Sequence, residues 1–481
     1  MAEAKYAEKR KFENCFKFYS DRIFIIDQTG KKITYKAFFD RVLKIIIFLK
    51  KIGCKKESKI LILSENSVNY LATLAACVFG GFTACPLDPS IKNLRLKNIK
   101  KLYKAKFLLK NLDNLGIDKI HLGKNCNNII DYRDTDCLML SSYGPKGEAR
   151  GILFKSSSII NSAQSFSKLA VYNKKTTILH CLPMFYMGGI LDTFFSPIFS
   201  GSKIIVGEKF SILNAKDFWT LPLKNNCNTL FLTPSIVAFI TTIFRKPSNE
   251  ILKHVSKYRS IFATGSTLYP EVRKKFYEIF KKKIFSCYGT SEIGGPLSIQ
   301  GRKDSFKDYC VGNHSKKIKI LVKKINNNKI NNIFVKTPFF MKGYLTTKGI
   351  KRPLDKNGYY NTGDLGDYKK KLIFIKDTDR PIIKKGGELI SLDLVENTAK
   401  EVKGVSAATA VGKKDFFAGQ ELYLFVVFNQ KVDESKKTNE IHSILKKKLR
   451  PIEVPKKILV VSKLNMTFSR KILRDKLINL L

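Results

Sequence analysis

The sequence predicts an α/β protein in which a large N-terminal domain is followed by a small α+β domain. Short β-branched segments alternate with longer amphipathic segments over most of the chain, a pattern typical of parallel-rich sheets covered by helices. The pattern changes near residue 318, and residues 377–481 carry strands and helices of their own. A chain of 481 residues has room for about three domains and needs no disulfide or metal to support its core.

The strands of the large domain are predicted from short apolar segments that end at turn residues. They cover residues 59–63, 177–182, 203–206, 229–233, 260–263 and 284–288. Between them, residues 35–52 and 270–282 have the periodicity of amphipathic helices. The longest apolar stretch, residues 71–85, is interrupted by Gly80 and Gly81, which favours a buried helix leading into a buried strand over a membrane span.

The last part of the chain predicts two further structures. Residues from about 318 to 345 form short strands separated by turns, which predicts a small, antiparallel, barrel-like piece. After Asp377, strands are expected at residues 407–411, 421–428 and 457–461, and helices at residues 393–402 and 438–449. We therefore expect one domain at residues 1–376 and a second, compact domain on a hinge at residues 377–481.

The chain is strongly basic, with 88 Lys and Arg against 40 Asp and Glu and a formal net charge of +48. Such a charge favours anionic ligands and raises the alternative of a nucleic-acid-binding protein, which would lose affinity steeply with salt. The lysines, however, occur as short pairs and triplets along the whole chain, and no recognisable nucleic-acid motif accompanies them. We therefore expect a solvated basic surface and no specific nucleic-acid partner.

The ten cysteines are scattered singly, without a C-x-x-C pair. This usage predicts no zinc site and suits a reducing compartment. Residues 1–10 are charged and lack the apolar stretch of a signal peptide. We expect a soluble, cytoplasmic protein without a membrane span.

The most specific motif is Y-G-T-S-E at residues 288–292, which ends a predicted strand, where parallel sheets commonly bind ligands. At such a strand end the chain can present backbone and side chains to a ligand, here the ring of Tyr288 and the carboxylate of Glu292. A second motif, Y-Y-N-T-G-D at residues 359–364, contains Asp364. Taken alone, each motif also suits an ordinary turn.

The order and spacing of the motifs carry a resemblance that covers nearly the whole chain. The motifs are I-T-Y-K (33–36), S-E-N-S (64–67), G-F-T-A-C-P-L-D-P (81–89), S-S-Y-G-P-K-G-E-A-R-G (141–151), L-P-M-F-Y-M-G-G-I-L-D (182–192), A-T-G-S-T-L (263–268), Y-G-T-S-E (288–292), Y-Y-N-T-G-D (359–364), K-K-G-G-E-L-I-S (384–391) and T-F-S-R-K-I-L-R (467–474). Together they resemble the adenylate-forming, or AMP-binding, superfamily of acyl- and aryl-CoA synthetases, peptide-synthetase adenylation domains and luciferases.

The resemblance implies a nucleotide site. In it Tyr288 stacks on adenine, Ser291 meets phosphate, Glu292 is a catalytic ligand of Mg²⁺, and Asp364 binds the ribose hydroxyls. The other residues expected to bind ATP are Ser142, Gly144, Lys146, Gly147 and Arg150 in the phosphate loop, Gly265 and Ser266 beside the adenine edge, Gly289, and Arg380 at the hinge.

The phosphate loop departs from the pattern of the superfamily. Arg150 stands where the superfamily has lysine, and Pro145 and Lys146 replace two hydroxyl residues. Proline removes one backbone N–H that could hold a phosphate, whereas Lys146 adds a positive charge. The hinge departs as well, because Asp377 and Thr378 align with a Gly-Arg pair that supplies a ribose-binding arginine.

The resemblance gives the second domain two functional segments. Lys471 corresponds to the catalytic lysine, whose ammonium can stabilise the charge that develops between carboxylate and α-phosphate, and Arg470 replaces the glycine before it. A rotation about Asp379 and Arg380 would exchange this segment for the thiol-acceptor loop. That loop contains Lys384, Gly386 and Gly387, and its small residues leave a path for pantetheine.

The resemblance implies an acyl-CoA synthetase that uses ATP and Mg²⁺ to convert a carboxylate into an acyl-adenylate, releases pyrophosphate and passes the acyl group to coenzyme A. Tyr186, Met187 and Gly188 correspond to the wall of the acyl pocket. The aspartate that binds an amino group in amino-acid-activating domains is missing after Phe185, which favours an apolar acyl or aryl acid.

Two alternatives to this function stay open. The chain could load a separate acyl carrier protein instead of coenzyme A, as an acyl-AMP ligase. It could also be a degenerate, non-catalytic homologue that binds nucleotide or acyl-adenylate, which would explain the altered phosphate loop.

Overall fold

The computed structural model describes residues 7–123, 126–143, 148–304, 307–325, 330–430, 432–462, 464 and 474–481. Gly144, Lys146 and Gly147 of the expected phosphate loop, and the expected catalytic Lys471, lie outside the described residues.

The helices are α1 (Ala7–Phe18), α2 (Tyr35–Lys51), α3 (Val68–Gly80), α4 (Asn93–Tyr103), α5 (Ser156–Leu169), α6 (Ser196–Ile198), α7 (Thr220–Lys224), α8 (Pro234–Ile243), α9 (Asn249–Ser256), α10 (Pro270–Phe280), α11 (Leu392–Ala399), α12 (Glu434–Lys448) and α13 (Arg474–Ile478). A π-helical segment, Gly188–Phe195, leads directly into α6. No helix within the described ranges has both the length and the apolar character needed to cross a bilayer.

The strands are β1 (Ile23–Ile26), β2 (Lys32–Thr34), β3 (Lys59–Leu63), β4 (Thr83–Pro86), β5 (Phe107–Lys110), β6 (Asp136–Tyr143), β7 (Ala149–Lys155), β8 (Thr177–His180), β9 (Lys203–Val206), β10 (Thr229–Leu232), β11 (Ser260–Ala263), β12 (Phe285–Thr290), β13 (Gly295–Ile299), β14 (Cys310–His314), β15 (Lys319–Lys323), β16 (Asn332–Lys336), β17 (Gly343–Thr346), β18 (Gly349–Lys351), β19 (Tyr360–Lys369), β20 (Leu372–Thr378), β21 (Ile382–Lys385), β22 (Glu388–Ser391), β23 (Val405–Asp415), β24 (Gly419–Phe428) and β25 (Lys457–Val460).

Two mixed sheets form the large domain. The first has the strand order β15-β16-β19-β20-β14-β13-β12-β11-β10-β8-β9-β1-β2, and the second has the order β18-β17-β7-β6-β4-β3-β5. The strands from β12 through β11, β10, β8 and β9 to β1 are parallel, and so are β6, β4, β3 and β5. The predicted α/β class with parallel-rich sheets is therefore confirmed.

Helix α3 shows why the longest apolar stretch folds as it does. Every one of its residues except Val68 is buried, and it ends at Gly81, which adopts a left-handed conformation with φ 72°. Strand β4 follows at once and is buried along its whole length. A helix that is apolar on all sides belongs in the interior of a large domain, as the sequence predicts.

The antiparallel part begins where the sequence pattern changes. Strands β15, β16, β19, β20 and β14 pair antiparallel and extend the first sheet. Strand β17 leaves them and pairs with β7, and it thereby joins the second sheet. The predicted barrel-like piece is therefore divided between the two sheets at β17.

The second domain is built on strands β22, β21, β24 and β23, with β25 parallel to β24. Helices α11 and α12 cover it, and its core includes Val395, Leu424 and Leu445. Strand β20 continues to Thr378, beyond the expected boundary at 376, and β21 begins at Ile382. The residues between these two strands are therefore the short connection between the domains.

Candidate active site

The carboxyl ends of three parallel strands bring the candidate residues together. Thr233 follows β10, Gly265 follows β11, and Tyr288 lies near the end of β12. Because neighbouring parallel strands end at the same edge of a sheet, these residues meet there. Gly289 fits this edge because its backbone approaches that of Gly295 closely, and a Cβ at Gly289 would lie 2.2 Å from the Gly295 carbonyl oxygen.

The tyrosine and the aspartate expected at adenine and ribose are in direct contact. The hydroxyl of Tyr288 donates a hydrogen bond to Oδ2 of Asp364 across 2.8 Å. Both side chains are buried, with 7% and 5% of their surface exposed. Burial and the Asp364 carboxylate raise the pKa of Tyr288, so its phenol stays protonated and donates.

Glu292 lies in a charged cluster beside this pair. Its Oε1 accepts a hydrogen bond from the hydroxyl of Tyr344 at 2.8 Å and faces Nη1 of Arg380 at 3.6 Å and Nη2 of Arg150 at 3.9 Å. Burial alone would raise the pKa of Glu292, but Arg380, its hydrogen bonds and Arg150 outweigh this and hold the pKa below its usual value. The carboxylate is therefore ionised.

Two tyrosines that sequence reasoning missed link the two arginines. The guanidinium of Arg150 stacks on the ring of Tyr344 at 3.7 Å, and Nη2 of Arg380 donates to the hydroxyl of Tyr360 at 2.7 Å. The hydroxyls of Tyr344 and Tyr360 are 3.1 Å apart. Tyr360 stands in the Y-Y-N-T-G-D motif and could have been found there, whereas no motif marks Tyr344.

The described part of the phosphate loop is the hairpin of β6 and β7. Ser142 pairs with Arg150 across this hairpin, and Nε of Arg150 lies 3.5 Å from Oγ of Ser142. Arg150 is thus held at the base of the loop and directed towards Glu292.

Several buried hydroxyls have no hydrogen-bond partner within the described residues, and two of them belong to the expected nucleotide motifs: Oγ of Ser266 and Oγ1 of Thr290. Ser266 follows Gly265, and Thr290 precedes Ser291, which begins the turn Ser291–Ile293. A buried hydroxyl without a partner costs free energy unless a ligand supplies one. Ser266 was expected to bind the nucleotide, whereas Thr290 was not singled out.

The carboxylate of Glu292 has surroundings that suit a nucleotide-bound Mg²⁺. The described residues contain no group of three or more His, Cys, Asp or Glu side chains that could hold a metal ion. Nucleotide-bound Mg²⁺ commonly takes only one or two carboxylates, with the other positions filled by phosphate oxygens and water. The single ionised carboxylate of Glu292 beside two guanidiniums fits such a site.

The expected thiol-acceptor loop lies against the same sheet edge. Gly387 has a left-handed φ of 87°, and a Cβ there would lie 2.5 Å from the Thr233 side chain, so only glycine fits. The carbonyl oxygen of Gly387 faces Gly265. Lys384 and Tyr288 line one small cavity of about 50 Å³.

The expected wall of the acyl pocket is partly apolar and partly engaged with the second domain. Met187 and Leu191 flank Gly295, close to the end of the Y-G-T-S-E segment. Gly188 begins the π-helical segment. The hydroxyl of Tyr186 donates to Oε2 of Glu388 at 2.5 Å, so this side chain points to the second domain.

The segment that carries Lys471 is anchored at its end. Nη2 of Arg474 lies 2.8 Å from Oε1 of Glu396, and Nε of Arg474 donates to the carbonyl oxygen of Ala410. Glu396 also accepts the backbone N–H of Ala410. These bonds fix the chain three residues after Lys471 to α11 and β23.

Two family models match different parts of this chain. Residues 12–345 match the family model described as AMP-binding enzyme, and residues 394–471 match the model described as AMP-binding enzyme C-terminal domain. The 2-succinylbenzoate–CoA ligase of Oceanobacillus iheyensis is 24% identical over 475 residues, which cover 94% of this chain and 95% of that protein.

Two solved structures of o-succinylbenzoate CoA synthetase from Bacillus subtilis have the same fold. A double mutant bound to the product analogue OSB-NCoA matches with a TM-score of 0.83 and 19% identity, and the match covers 98% of each chain. The complex with the acyl-adenylate intermediate OSB-AMP matches with a TM-score of 0.68 and 19% identity, covering 97% of each chain.

Proposed function

Since this chain belongs to the AMP-binding enzyme family, we propose that it activates a carboxylic acid with ATP and transfers the acyl group to coenzyme A, using the residues of the candidate active site. It is an AMP-forming acid–thiol ligase of the acyl-CoA synthetase type, and ATP, Mg²⁺ and coenzyme A are the cofactors of such ligases. The observation that carries the residue assignment is the ionised Glu292 between Arg150 and Arg380, directly beside the Tyr288–Asp364 pair.

In this proposal Tyr288 and Asp364 hold the nucleoside. The ring of Tyr288 supports adenine. Asp364 accepts hydrogen bonds from the ribose hydroxyls and from the Tyr288 hydroxyl at the same time, because a carboxylate has four acceptor positions. Gly289, Gly265 and Ser266 form the adjoining edge. Their closeness to one cavity supports the assignment.

The phosphates would lie between Glu292 and the cations around it. Arg150 and Arg380 supply positive charge, Ser142, Ser291 and Thr290 supply hydroxyls, and Glu292 would hold Mg²⁺. The metal would neutralise charge that develops on the phosphates during displacement of pyrophosphate. When the nucleotide binds, Arg380 can exchange its Tyr360 and Glu292 contacts for phosphate or ribose oxygens, and it could thereby replace the arginine missing from the hinge.

Lys471 is assigned to the first half-reaction and the loop of Lys384, Gly386 and Gly387 to the second. The loop lies at the sheet edge in this structure. The chain matches the product-analogue complex better than the acyl-adenylate complex of the same enzyme, which supports assigning this arrangement to thiol transfer. Rotation at residues 379–381, close to the proposed division between residues 1–376 and 377–481, would then present Lys471.

For the acyl group we propose an apolar or aryl acid. Met187 and Leu191 supply an apolar surface at the end of the nucleotide site, and the related ligase from O. iheyensis acts on a benzoate derivative. Coenzyme A is the proposed acceptor, and an acyl carrier protein is the alternative. Localisation in the cytoplasm is also part of this proposal and rests on the cysteine usage.

The decisive experiment measures pyrophosphate release with a panel of alkyl and aryl carboxylic acids, with and without coenzyme A. Release with at least one acid, together with formation of its CoA thioester, supports the proposal. Binding of ATP without release for any acid would instead support the non-catalytic homologue. If a thioester forms only when a carrier protein is added, the acceptor is that protein and not coenzyme A.

A further inference from the structure

A buried cluster of charged side chains joins the large domain to residues of the second domain that follow the thiol-acceptor loop. This Arg450 cluster consists of Asp88, Arg95, Tyr186, Glu388, Arg450 and Glu453. Its centre is buried, because Arg450 has only 6% of its surface exposed and Glu453 only 1%.

Arg450 uses its two guanidinium edges for different partners. Nη1 donates to Oδ2 of Asp88 at 2.9 Å, to Oε2 of Glu388 at 2.6 Å and to the hydroxyl of Tyr186 at 3.2 Å. Nη2 and Nε donate to Oε1 of Glu453 at 2.9 and 3.1 Å. One arginine therefore contacts both domains with its forked geometry.

The electrostatics show that the charges are mutually stabilised. Burial alone would raise the pKa of Asp88, but hydrogen bonds from Ser90 and the Arg450 guanidinium outweigh it and hold the pKa below its usual value. Glu453 is likewise kept ionised, with its pKa lowered mainly by Arg450 and Arg95 against the effect of burial. Pulling the two domains apart would break the Asp88–Arg450 and Arg95–Glu453 pairs, which is costly for buried charges.

Glu388 connects the Arg450 cluster to the thiol-acceptor loop. Glu388 directly follows Gly387, whose backbone lies on Thr233 and Gly265 at the nucleotide-binding edge. Tyr186 and Arg450 both donate to the same oxygen of Glu388. Any movement of Glu388 therefore moves the loop on the other side of the peptide bond.

We propose that Arg450 is a positioning residue for acyl transfer to the thiol: it holds Glu388 against Asp88 and Tyr186 and thereby fixes the thiol-acceptor loop at the active site. This inference rests on the proposed function for the identity of the reaction, but the positioning itself can be measured without turnover. The side-chain hydrogen bonds of Arg450 to the described residues go to Asp88, Tyr186, Glu388 and Glu453, and none of these is an expected nucleotide-binding residue or a loop glycine.

The bonds of Arg450 divide into two classes that mutation can separate. The bonds to Glu453 and Glu388 lie within the second domain and would move with it during rotation. The bonds of Arg450 to Asp88 and Tyr186, and the bond of Arg95 to Glu453 at 2.7 Å, cross between the domains and would break. A substitution at Asp88 therefore tests positioning without disturbing the second domain.

The test variant is Asp88→Asn, and the chain offers a matched control in Asp27→Asn. In both places Oδ1 of the aspartate accepts the backbone N–H and the hydroxyl of the residue two positions later, Ser90 or Thr29. Asparagine keeps that turn in both variants. Only at position 88 does it place an amide NH₂ where Arg450 requires an acceptor.

Two readouts are compared in the full-length chain. Hydrogen exchange of residues 382–391 without ligands should become about tenfold faster in Asp88→Asn, since one charge-assisted hydrogen bond commonly stabilises by that factor or more. Acyl transfer from supplied acyl-adenylate to the thiol should slow by about tenfold, whereas the rate of adenylation should stay the same or increase. Asp27→Asn should leave exchange and both rates unchanged.

Unchanged exchange of residues 382–391 in Asp88→Asn would overturn the positioning role, and so would equal slowing of both half-reactions. A wild-type chain that forms no thioester with any acid contradicts the proposed function alone, because the exchange measurement still decides whether Arg450 holds the loop. Arg450→Lys provides the complementary variant: it keeps the positive charge but loses the planar guanidinium fork that reaches Glu453 from one edge and Asp88 and Glu388 from the other, so it should reproduce the Asp88→Asn pattern.

Discussion

The hydroxyl of Tyr288 donates a hydrogen bond to Oδ2 of Asp364, although the two residues lie 76 positions apart in the chain. Strand β12 supplies the tyrosine and β19 supplies the aspartate, so the first sheet and its antiparallel extension meet at this bond. The contact makes the orientation of the expected ribose-binding carboxylate depend on the phenol that is expected to support adenine.

Tyr288→Phe should therefore weaken ATP binding without removing the stacking surface. Loss of the hydrogen bond frees Asp364 to turn, and a single hydrogen bond to a charged group typically contributes about 1.5–3 kcal/mol. We expect the KM for ATP to rise by about tenfold or more with a smaller change in kcat. Steady-state kinetics of pyrophosphate release measures both constants.

Tyr172→Phe is the matched control for this prediction. Tyr172 is also buried and donates a single hydrogen bond, to the carbonyl oxygen of Asp192. Tyr172→Phe should lower the free energy of unfolding to an extent comparable with Tyr288→Phe, while the KM for ATP stays constant. An equal rise of KM in both variants would mean that Tyr288 acts only through general stability.

The sequence predicts those parts of this site that depend on neighbouring residues in the chain, and not those that depend on residues far apart in it. Strands β3, β9 and β11 begin and end where the sequence places them, since each is a short buried apolar segment between polar turns. Motif residues at strand ends, such as Tyr288, follow from the same local signals. Local pattern and strand geometry are sufficient for both.

The contacts among charged side chains are not predictable in this way. Asp88 and Arg450 are 362 residues apart, and neither stands out in a chain with 88 basic and 40 acidic residues. Tyr344 meets Glu292 only because β17 leaves the antiparallel piece to pair with β7. Such pairings depend on the packing of whole sheets, which no local pattern reports.

Glu292→Gln should change the dependence on Mg²⁺ more than the binding of nucleotide. Arg380 and Arg150 help to keep the Glu292 carboxylate ionised, and the substitution removes its negative charge. It leaves Tyr288 and Asp364 in place. We expect the Mg²⁺ concentration for half-maximal adenylation to rise by about tenfold, because one anionic oxygen ligand is lost. A titration of the initial rate with Mg²⁺ measures this value.

Glu13→Gln serves as the control, since Glu13 is also buried and accepts a hydrogen bond from Tyr132. It lies in α1 and should leave the Mg²⁺ titration unchanged. If the midpoint for Glu292→Gln coincides with that of the wild type, Glu292 is not the metal ligand.

Lys471→Ala should abolish adenylation but spare thiol transfer from supplied acyl-adenylate. The assignment rests on the resemblance of residues 467–474, and removal of one electrostatic contact to a transition state typically costs about 10²–10³ in rate. Lys457→Ala, on an exposed position of β25, should affect neither half-reaction. Loss of both half-reactions to the same extent would contradict a two-state use of the second domain.

The stability of the large domain should depend on pH through Lys9, whose ammonium donates to the carbonyl oxygen of Asp131 and to Thr135. Burial lowers the pKa of Lys9 to about 8. Between that value and the ordinary lysine pKa of about 10.4, the unfolded chain binds the proton and the folded chain does not, so stability rises with pH. Relative to Lys9→Met, the wild type should gain stability from pH 8 to 10, measured by urea denaturation. A constant difference between the two proteins would show that Lys9 is charged throughout.

The last prediction concerns Lys146, which stands for a hydroxyl residue in the phosphate loop, next to Pro145. If its charge replaces the hydrogen bonds that the loop has lost, Lys146→Ala should raise the KM for ATP and slow adenylation by about tenfold, as expected for a charged contact to phosphate. Most surface lysine substitutions change stability by no more than about 0.5 kcal/mol. Lys446→Ala, in the last turn of α12, is therefore the matched surface control.

The double substitution Pro145→Thr with Lys146→Thr separates a compensated loop from a decayed one. It restores a hydroxyl-rich loop and one backbone N–H but removes the positive charge. A compensated loop should lose adenylation rate, because the variant removes the Lys146 charge and a neutral hydroxyl makes a weaker contact with phosphate than an ammonium does. A decayed loop should gain rate instead. We expect a loss, since Tyr288, Glu292, Asp364 and Lys471 all keep the side-chain types that the chemistry requires. A gain in rate, together with a silent Lys146→Ala, would show that this loop no longer serves ATP in the wild-type chain.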